Sequence, residues 1–154
     1  MPEIKTLINH HVNDYGKARN TLLPLLQKIV AHQNFLDEAT LLEVAHQLNL
    51  SPADVYGTAT FYSYLSTIPR GKYVVRVCRN ISCMMKLQAE IVSTVSSLLK
   101  IKVGETTSDK QFSLLQVNCL GWCHKAPAMM INNQVFTELT TQKAIQIINE
   151  YQQK

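Results

Sequence analysis

The chain has 154 residues, a formal net charge of +4, 46% hydrophobic residues and 17% charged ones. This is the composition of a globular protein of one domain, or one domain with a small appendage, and it excludes a disordered chain. With five Gly, five Pro and four Cys, it is neither collagen-like, low-complexity nor a disulfide-dense secreted scaffold.

The first ~68 residues read as helical. Residues 3–15 predict a first helix. Asn20 is placed to cap a second, TLLPLLQKIVAHQN, with Leu22, Leu26, Ile29 and Val30 on one face and Pro24 in its tolerant first turn. Asp37 caps a third, EATLLEVAHQLN, with Leu41, Val44, Ala45 and Leu48 inward. Ser51-Pro52, an N-cap followed by Pro at the first helical position, starts a fourth that is expected to run through TATFYSYL and stop before Pro69.

From Tyr73 the periodicity changes. YVVRVC is short, apolar and β-branched, a buried strand. Residues 84–100 predict a helix with Leu87, Ile91, Val95 and Leu98 in one stripe. IKVGETTSDKQ reads as a polar loop and FSLLQV as a second strand. AMMINNQVF reads as two short strands around Asn132-Asn133, because Asn tolerates the positive φ of a tight hairpin. TTQKAIQIINEY closes the chain as a helix with Ala144, Ile147, Ile148 and Tyr151 inward. The expected organisation is a helical unit over residues 1–70 and a small α/β unit over residues 71–154, an α+β or α/β protein.

Charge and cysteine are unevenly placed. Residues 1–70 carry five Lys/Arg against six Asp/Glu, net −1, and residues 71–154 carry ten against five, net +5. The start, MPEIKT, has no basic n-region and no apolar h-region, and no apolar run approaches the ~20 residues of a membrane helix. The expected location is therefore the reducing cytoplasm, with no membrane insertion, where clustered thiols point to metal binding or catalysis before disulfides. Cys78 and Cys83 form C-x4-C at the end of the first strand, and Cys119 and Cys123 form C-x3-C beyond the second. If the strands are parallel neighbours, both loops emerge at one sheet edge and four thiolates converge. An iron–sulfur cluster needs such soft anionic ligands on rigid loops, and Gly121 lets the second loop fold tightly. Spacing leaves alternatives open. Zinc favours C-x2-4-C pairs, a dithiol redox site wants C-x-x-C, and Cys123-His124 resembles only the ending of a haem-attachment motif.

Longer segments carry a family likeness: ATFYSYLSTIPRGKYVVRVC from Ala59, Cys83 five residues on, GETTSD from Gly104, and CLGWCHKAPAMMIN from Cys119. With the helical N-terminal part, nearly the whole chain resembles the thioredoxin-like [2Fe–2S] subunits of NADH:quinone oxidoreductase (complex I) and of NAD(P)-linked soluble hydrogenases and formate dehydrogenases. The resemblance implies a helical bundle followed by a thioredoxin-like [2Fe–2S] ferredoxin domain, with Cys78, Cys83, Cys119 and Cys123 ligating one cluster. Pro127 stands just before a predicted strand, where thioredoxin-like folds often carry a cis proline. The chain departs from the family pattern at three places. Asn118 stands where an acidic residue is common, Lys110 replaces a usual Gly, and Leu87-Gln88-Ala89 occupies a segment that often holds Gly.

By the same resemblance the chain is a one-electron carrier, non-catalytic alone. It would exchange electrons with the FMN of a partner flavoprotein that binds NAD(P)H, inside a multi-subunit oxidoreductase with further iron–sulfur subunits. That assembly would be a soluble, in some cases electron-bifurcating, hydrogenase or formate dehydrogenase complex, or complex I. From the residues themselves, the five glycines are isolated and form no dinucleotide fingerprint, so the chain is not expected to bind NADH or flavin alone; that a partner supplies FMN and NAD(P) is what the resemblance implies. Arg76, Arg79, Lys86 and Lys125 lie close in sequence to the cysteines, and nearby cations favour a reduced cluster. Trp122 lies between two of the cysteines, placed either to shield a cluster from water or to meet a partner.

The alternative is a zinc-stabilised helix-turn-helix protein or an iron–sulfur redox sensor that binds DNA, since TLLEVAHQLNLSPADVY has a helix-turn-helix rhythm. Charge opposes it. Residues 29–69 contain no Lys or Arg but hold Asp37, Glu38, Glu43 and Asp54, a net −4 that a duplex would repel. The helical unit reads better as a protein-docking surface that Tyr56, Phe61, Tyr62 and Tyr64 could anchor, and no nucleic acid is expected as partner.

Overall fold

The computed structural model describes residues 2–153. The chain divides into two compact units, one ending at Pro69 and the other beginning at Arg70.

The first unit is built from α1 (Pro2–Tyr15), α2 (Leu22–Gln33), α3 (Glu38–Leu48) and α4 (Pro52–Phe61). Two caps follow the sequence: Asp37 accepts from the Thr40 N–H and Ser51 from the Asp54 N–H. Asn34 and Asn49 end α2 and α3 in the left-handed conformation. The core comprises Ile4, Ile8, Leu22, Leu25, Leu26, Ile29, Leu36, Leu41, Val44, Ala45, Leu48, Val55, Ala59 and Leu65. Inside this unit His11 is buried, with Nε2 against the Thr21 carbonyl and Nδ1 against Lys28 Nζ. Because a carbonyl only accepts and an ammonium only donates, Nε2 carries the proton.

Two expectations fail in this unit. Asn20 does not cap α2. Residues Arg19–Thr21 wind as a 3-10 turn, so the chain enters α2 already coiled, and the cap position falls on Thr21 with a helical φ of −84°. The Thr21 hydroxyl instead donates back to the Ala18 carbonyl. α4 stops at Phe61 rather than running through Leu65, because Tyr62 turns extended. Val55 and Ala59 set the buried face of α4, and continuing it would bring Ser63 inward at the next i+4 step. The break inserts Leu65 into the core instead and lets the Ser66 carbonyl accept from Leu36 N.

The second unit contains β1 (Tyr73–Cys78), α5 (Ile81–Met84), α6 (Gln88–Leu99), β2 (Phe112–Val117), β3 (Met129–Ile131), β4 (Gln134–Phe136) and α7 (Thr141–Gln152). The strands lie in the order β2-β1-β3-β4. β1 and β2 are parallel with Cys78 opposite Val117, while β1–β3 and β3–β4 are antiparallel. α6 and α7 cover one sheet face, where Val75, Val77, Phe112, Leu114, Met129 and Ile131 meet Ile91, Val95, Leu99, Ala144, Ile147 and Ile148. Strand alternation therefore turns Cys78 to the opposite face from Val75 and Val77. Asn132, at φ 51°, makes the β3–β4 turn as its type predicts. Thr140 caps α7, and the Ala126–Pro127 bond is cis.

Here the helix expected over 84–100 is replaced by two. α5 is a single turn, and α6 begins at Gln88. Its inward stripe is Gln88, Ile91, Val95 and Leu99; Leu87 is exposed and Leu98 only half-buried. Ile91 and Val95 keep their expected place and only the two ends of the stripe move by one residue, because the chain must first turn about Cys83 before a helix can settle on the sheet. No helix among the described residues is long and apolar enough to cross a membrane.

Candidate metal centre

The cysteines are carried by two loops at the same end of the parallel pair. Cys78 is the last residue of β1, and its N–H donates to the Ala128 carbonyl. The Arg79 N–H donates to the Val117 carbonyl at 2.8 Å, tying the ends of β1 and β2 together. Asn80 then caps α5 by accepting from the Ile81 N–H, and the Cys83 N–H donates to the Asn80 carbonyl. This turn folds Cys83 back into a small buried cluster with Cys78, Ala126 and Ala128, with Leu120 packed against it.

The second loop leaves β2 at Val117. Gly121, at φ 86°, reverses the chain, and its N–H donates to Cys119 Sγ at 3.3 Å. Cys123 opens a 3-10 turn held by Lys125 N–H to Trp122 O. Cys119 Sγ and Cys123 Sγ stand 3.1 Å apart, and both residues are exposed, whereas Cys78 and Cys83 are 1% exposed.

Electrostatics join the loops. Burial, and secondarily a hydrogen bond with Cys78, pushes the Cys83 thiol up to about 11. The hydrogen bond from Cys123 pulls Cys119 down, helped by the Gly121 N–H and the Asn80 side chain. Donating that bond raises Cys123, which also feels Cys78. The opposite shifts of Cys119 and Cys123 are two sides of that one hydrogen bond.

Among the described residues, no three His, Cys, Asp or Glu side chains gather as they would around one ion. Cys78 hydrogen-bonds with Cys83 and also with Cys119, which lies 3.1 Å from Cys123, so the four sulfurs form one linked set. An all-thiolate donor set is soft enough for iron–sulfur chemistry. The residues present fit such a group.

Of the cations singled out by sequence, Arg79 reaches across both loops, its Nε donating to Asn118 Oδ1 at 3.4 Å. Lys86 Nζ donates to the Ala126 carbonyl. Arg76 is buried within β1, and Lys125 is exposed. His124 stacks on Trp122 with centroids 5.5 Å apart. Sequence reasoning missed Asn80 and Ser82, whose side chains act on Cys119 and Cys123. For Asn80 a signal existed: Asn ahead of a short apolar turn is an N-cap.

A family profile described as thioredoxin-like [2Fe–2S] ferredoxin matches residues 8–152. The chain is 33% identical over 137 residues to a subunit of the NADH-quinone oxidoreductase of Buchnera aphidicola, covering 89% of this chain and 85% of that one. It is 32% identical over 130 residues to NADH-quinone oxidoreductase subunit 2 of Thermus thermophilus, covering 84% and 72%. A solved structure of an NAD+-reducing [NiFe]-hydrogenase in the air-oxidized state superposes with a TM-score of 0.76 at 23% identity, over 85% of this chain. That match spans only 22% of the hydrogenase chain, and at this identity it shows the fold.

Proposed function

The chain belongs to the thioredoxin-like [2Fe–2S] ferredoxin family, a family of electron carriers, and from that premise we propose that Cys78, Cys83, Cys119 and Cys123 hold one [2Fe–2S] cluster in a subunit of an NAD(P)-linked oxidoreductase. The carrying observation is that four thiols on two loops, rooted in the parallel pairing of β1 and β2, stand in mutual hydrogen-bond and electrostatic contact. When bound, such a cluster supplies a one-electron store.

The chain's own residues do the rest. Cys78 and Cys83, packed with Ala126 and Ala128, make the water-excluding side of the site. Cys119 and Cys123 make the open side, through which electrons would pass to a partner. Ile81, Met84 and Met85 on the first cysteine-bearing segment and Trp122 on the second are exposed large apolar residues, suited to docking a partner. The Gly121 N–H already points at Cys119 Sγ, where it stabilises added negative charge.

The partner that fits is a flavoprotein carrying FMN and the NAD(P) site, since this chain has no Gly-rich dinucleotide motif of its own. The relatives' names, subunits of NADH-quinone oxidoreductase, support that reading. The helical unit, with Tyr56, Phe61, Tyr62 and Tyr64 exposed, is read as a second docking surface, and the compartment as the cytoplasm. The test is anaerobic purification with iron, sulfide and zinc assays and electron paramagnetic resonance after dithionite reduction. Equal iron and sulfide with a one-electron signal at low temperature is expected; a colourless protein loaded with zinc would overturn the proposal.

A further inference from the structure

The two thiol pairs differ in a way that a shared ligand role does not require. Cys78 and Cys83 are sealed, each 1% exposed. Cys119 and Cys123 face solvent with their sulfurs 3.1 Å apart. A disulfide bond is about 2.05 Å long, so closure needs only about 1 Å of movement. The intervening segment is Leu120-Gly121-Trp122, reversed at a glycine with φ 86° and followed by a single 3-10 turn. A hinge of this kind absorbs such a shift at little cost.

We propose that Cys119 and Cys123 form a thiol–disulfide site in the cluster-free chain, closed by a peroxide and reopened by a dithiol, and that the closed form cannot take up a cluster. Only the last clause rests on the ligand reading above. In the closing reaction, Cys119 Sγ attacks one peroxide oxygen. The O–O bond breaks, one water leaves, and a sulfenic acid remains on Cys119. Cys123 Sγ then attacks Cys119 Sγ; the S–S bond forms, the S–O bond breaks, and a second water carries away the hydroxyl and the thiol proton. Two thiols lose two electrons, and the peroxide gains them. The Gly121 N–H at 3.3 Å from Cys119 Sγ favours that sulfur as the first nucleophile. Reopening returns two electrons and two protons from the dithiol, which becomes a disulfide itself.

Spacing alone would let either pair close, since C-x4-C and C-x3-C are nearly equal loops. Burial decides between them, because oxidant must reach the sulfur. The test uses the full chain, stripped of metal under reductant, freed of reductant, and treated with one equivalent of hydrogen peroxide. Alkylation and tryptic mapping then read the outcome, since Cys119 and Cys123 share the peptide 111–125. That peptide is expected unlabelled and lighter by two hydrogens, while Cys78 and Cys83 carry label, with the exposed pair closing at least about tenfold faster. In urea, both pairs should close at similar rates.

Iron and sulfide are then added to the oxidised chain with and without prior dithiothreitol, and visible circular dichroism follows cluster formation. Cluster formation only after the dithiol is expected. Closure of both pairs at equal rates in the folded chain, or no linkage within 111–125, would overturn the proposal. So would equally fast cluster formation without the dithiol. A fully reduced chain that takes up no iron would sink the ligand reading and the last clause with it, and the mapped linkage would stand apart from both.

Discussion

Arg79 leaves the sheet one residue past Cys78 and joins both cysteine loops, its N–H on the Val117 carbonyl and its Nε on Asn118 Oδ1. A permanent cation beside sulfur anions stabilises the more negative, reduced state. Arg79→Glu is expected to lower the reduction potential, on the order of tens of millivolts at low salt and less as salt screens it. A redox titration checks this, and an unchanged potential would remove Arg79 from the tuning of the site. Two other residues show what a single position must tolerate. Gly121 takes φ 86° where the second loop reverses. Lys110 sits at φ 56°, which explains why glycine suits the position that Lys110 occupies here.

At the scale of elements, the approach of β1 to β2 positions the site, and Gly71 guards it. A Cβ on Gly71 would lie 2.8 Å from Phe112 N and 2.9 Å from the Gln111 carbonyl carbon, both backbone atoms that cannot swing away. The Gly71 N–H also donates to Ser113 Oγ. Gly71→Ala is expected to cost about 1–3 kcal/mol through forced separation of the strand entrances, read as a lower urea midpoint with an unchanged slope. An unchanged midpoint would show that the strands spread freely. Elements with strong local signals were legible in sequence: Asp37 and Ser51 cap helices as their types demand, and Asn132 makes its turn. Elements whose ends depend on distant packing were not. α4 breaks at Phe61 so that Leu65 can fill the core, and α5 separates from α6 so that Cys83 can reach Cys78. Gln88 ends up buried with no partner for its Nε2 among the described residues, which no i+4 pattern foretells.

At the scale of the whole molecule, charge separates the electron-carrier reading from DNA binding. α3 and α4 follow each other after a short turn, but the stretch from 29 to 69 has four carboxylates and no Lys or Arg. That charge opposes a duplex, since phosphate neutralisation supplies most of nonspecific affinity. A labelled duplex is expected to remain unshifted by the full chain at physiological salt; a retarded band would reopen the DNA-binding reading. The +5 belongs instead to the half that carries all four cysteines. From sequence alone came the helical first half, the strand–helix alternation of the second and the two cysteine pairs, because short-range periodicity and spacing are written into neighbouring residues. Only the tertiary structure decided that β1 and β2 lie parallel, that one thiol pair is sealed and the other open, and that Arg79 bridges the loops. Those outcomes depend on residues some forty positions apart meeting in space, and chain order does not encode such meetings locally.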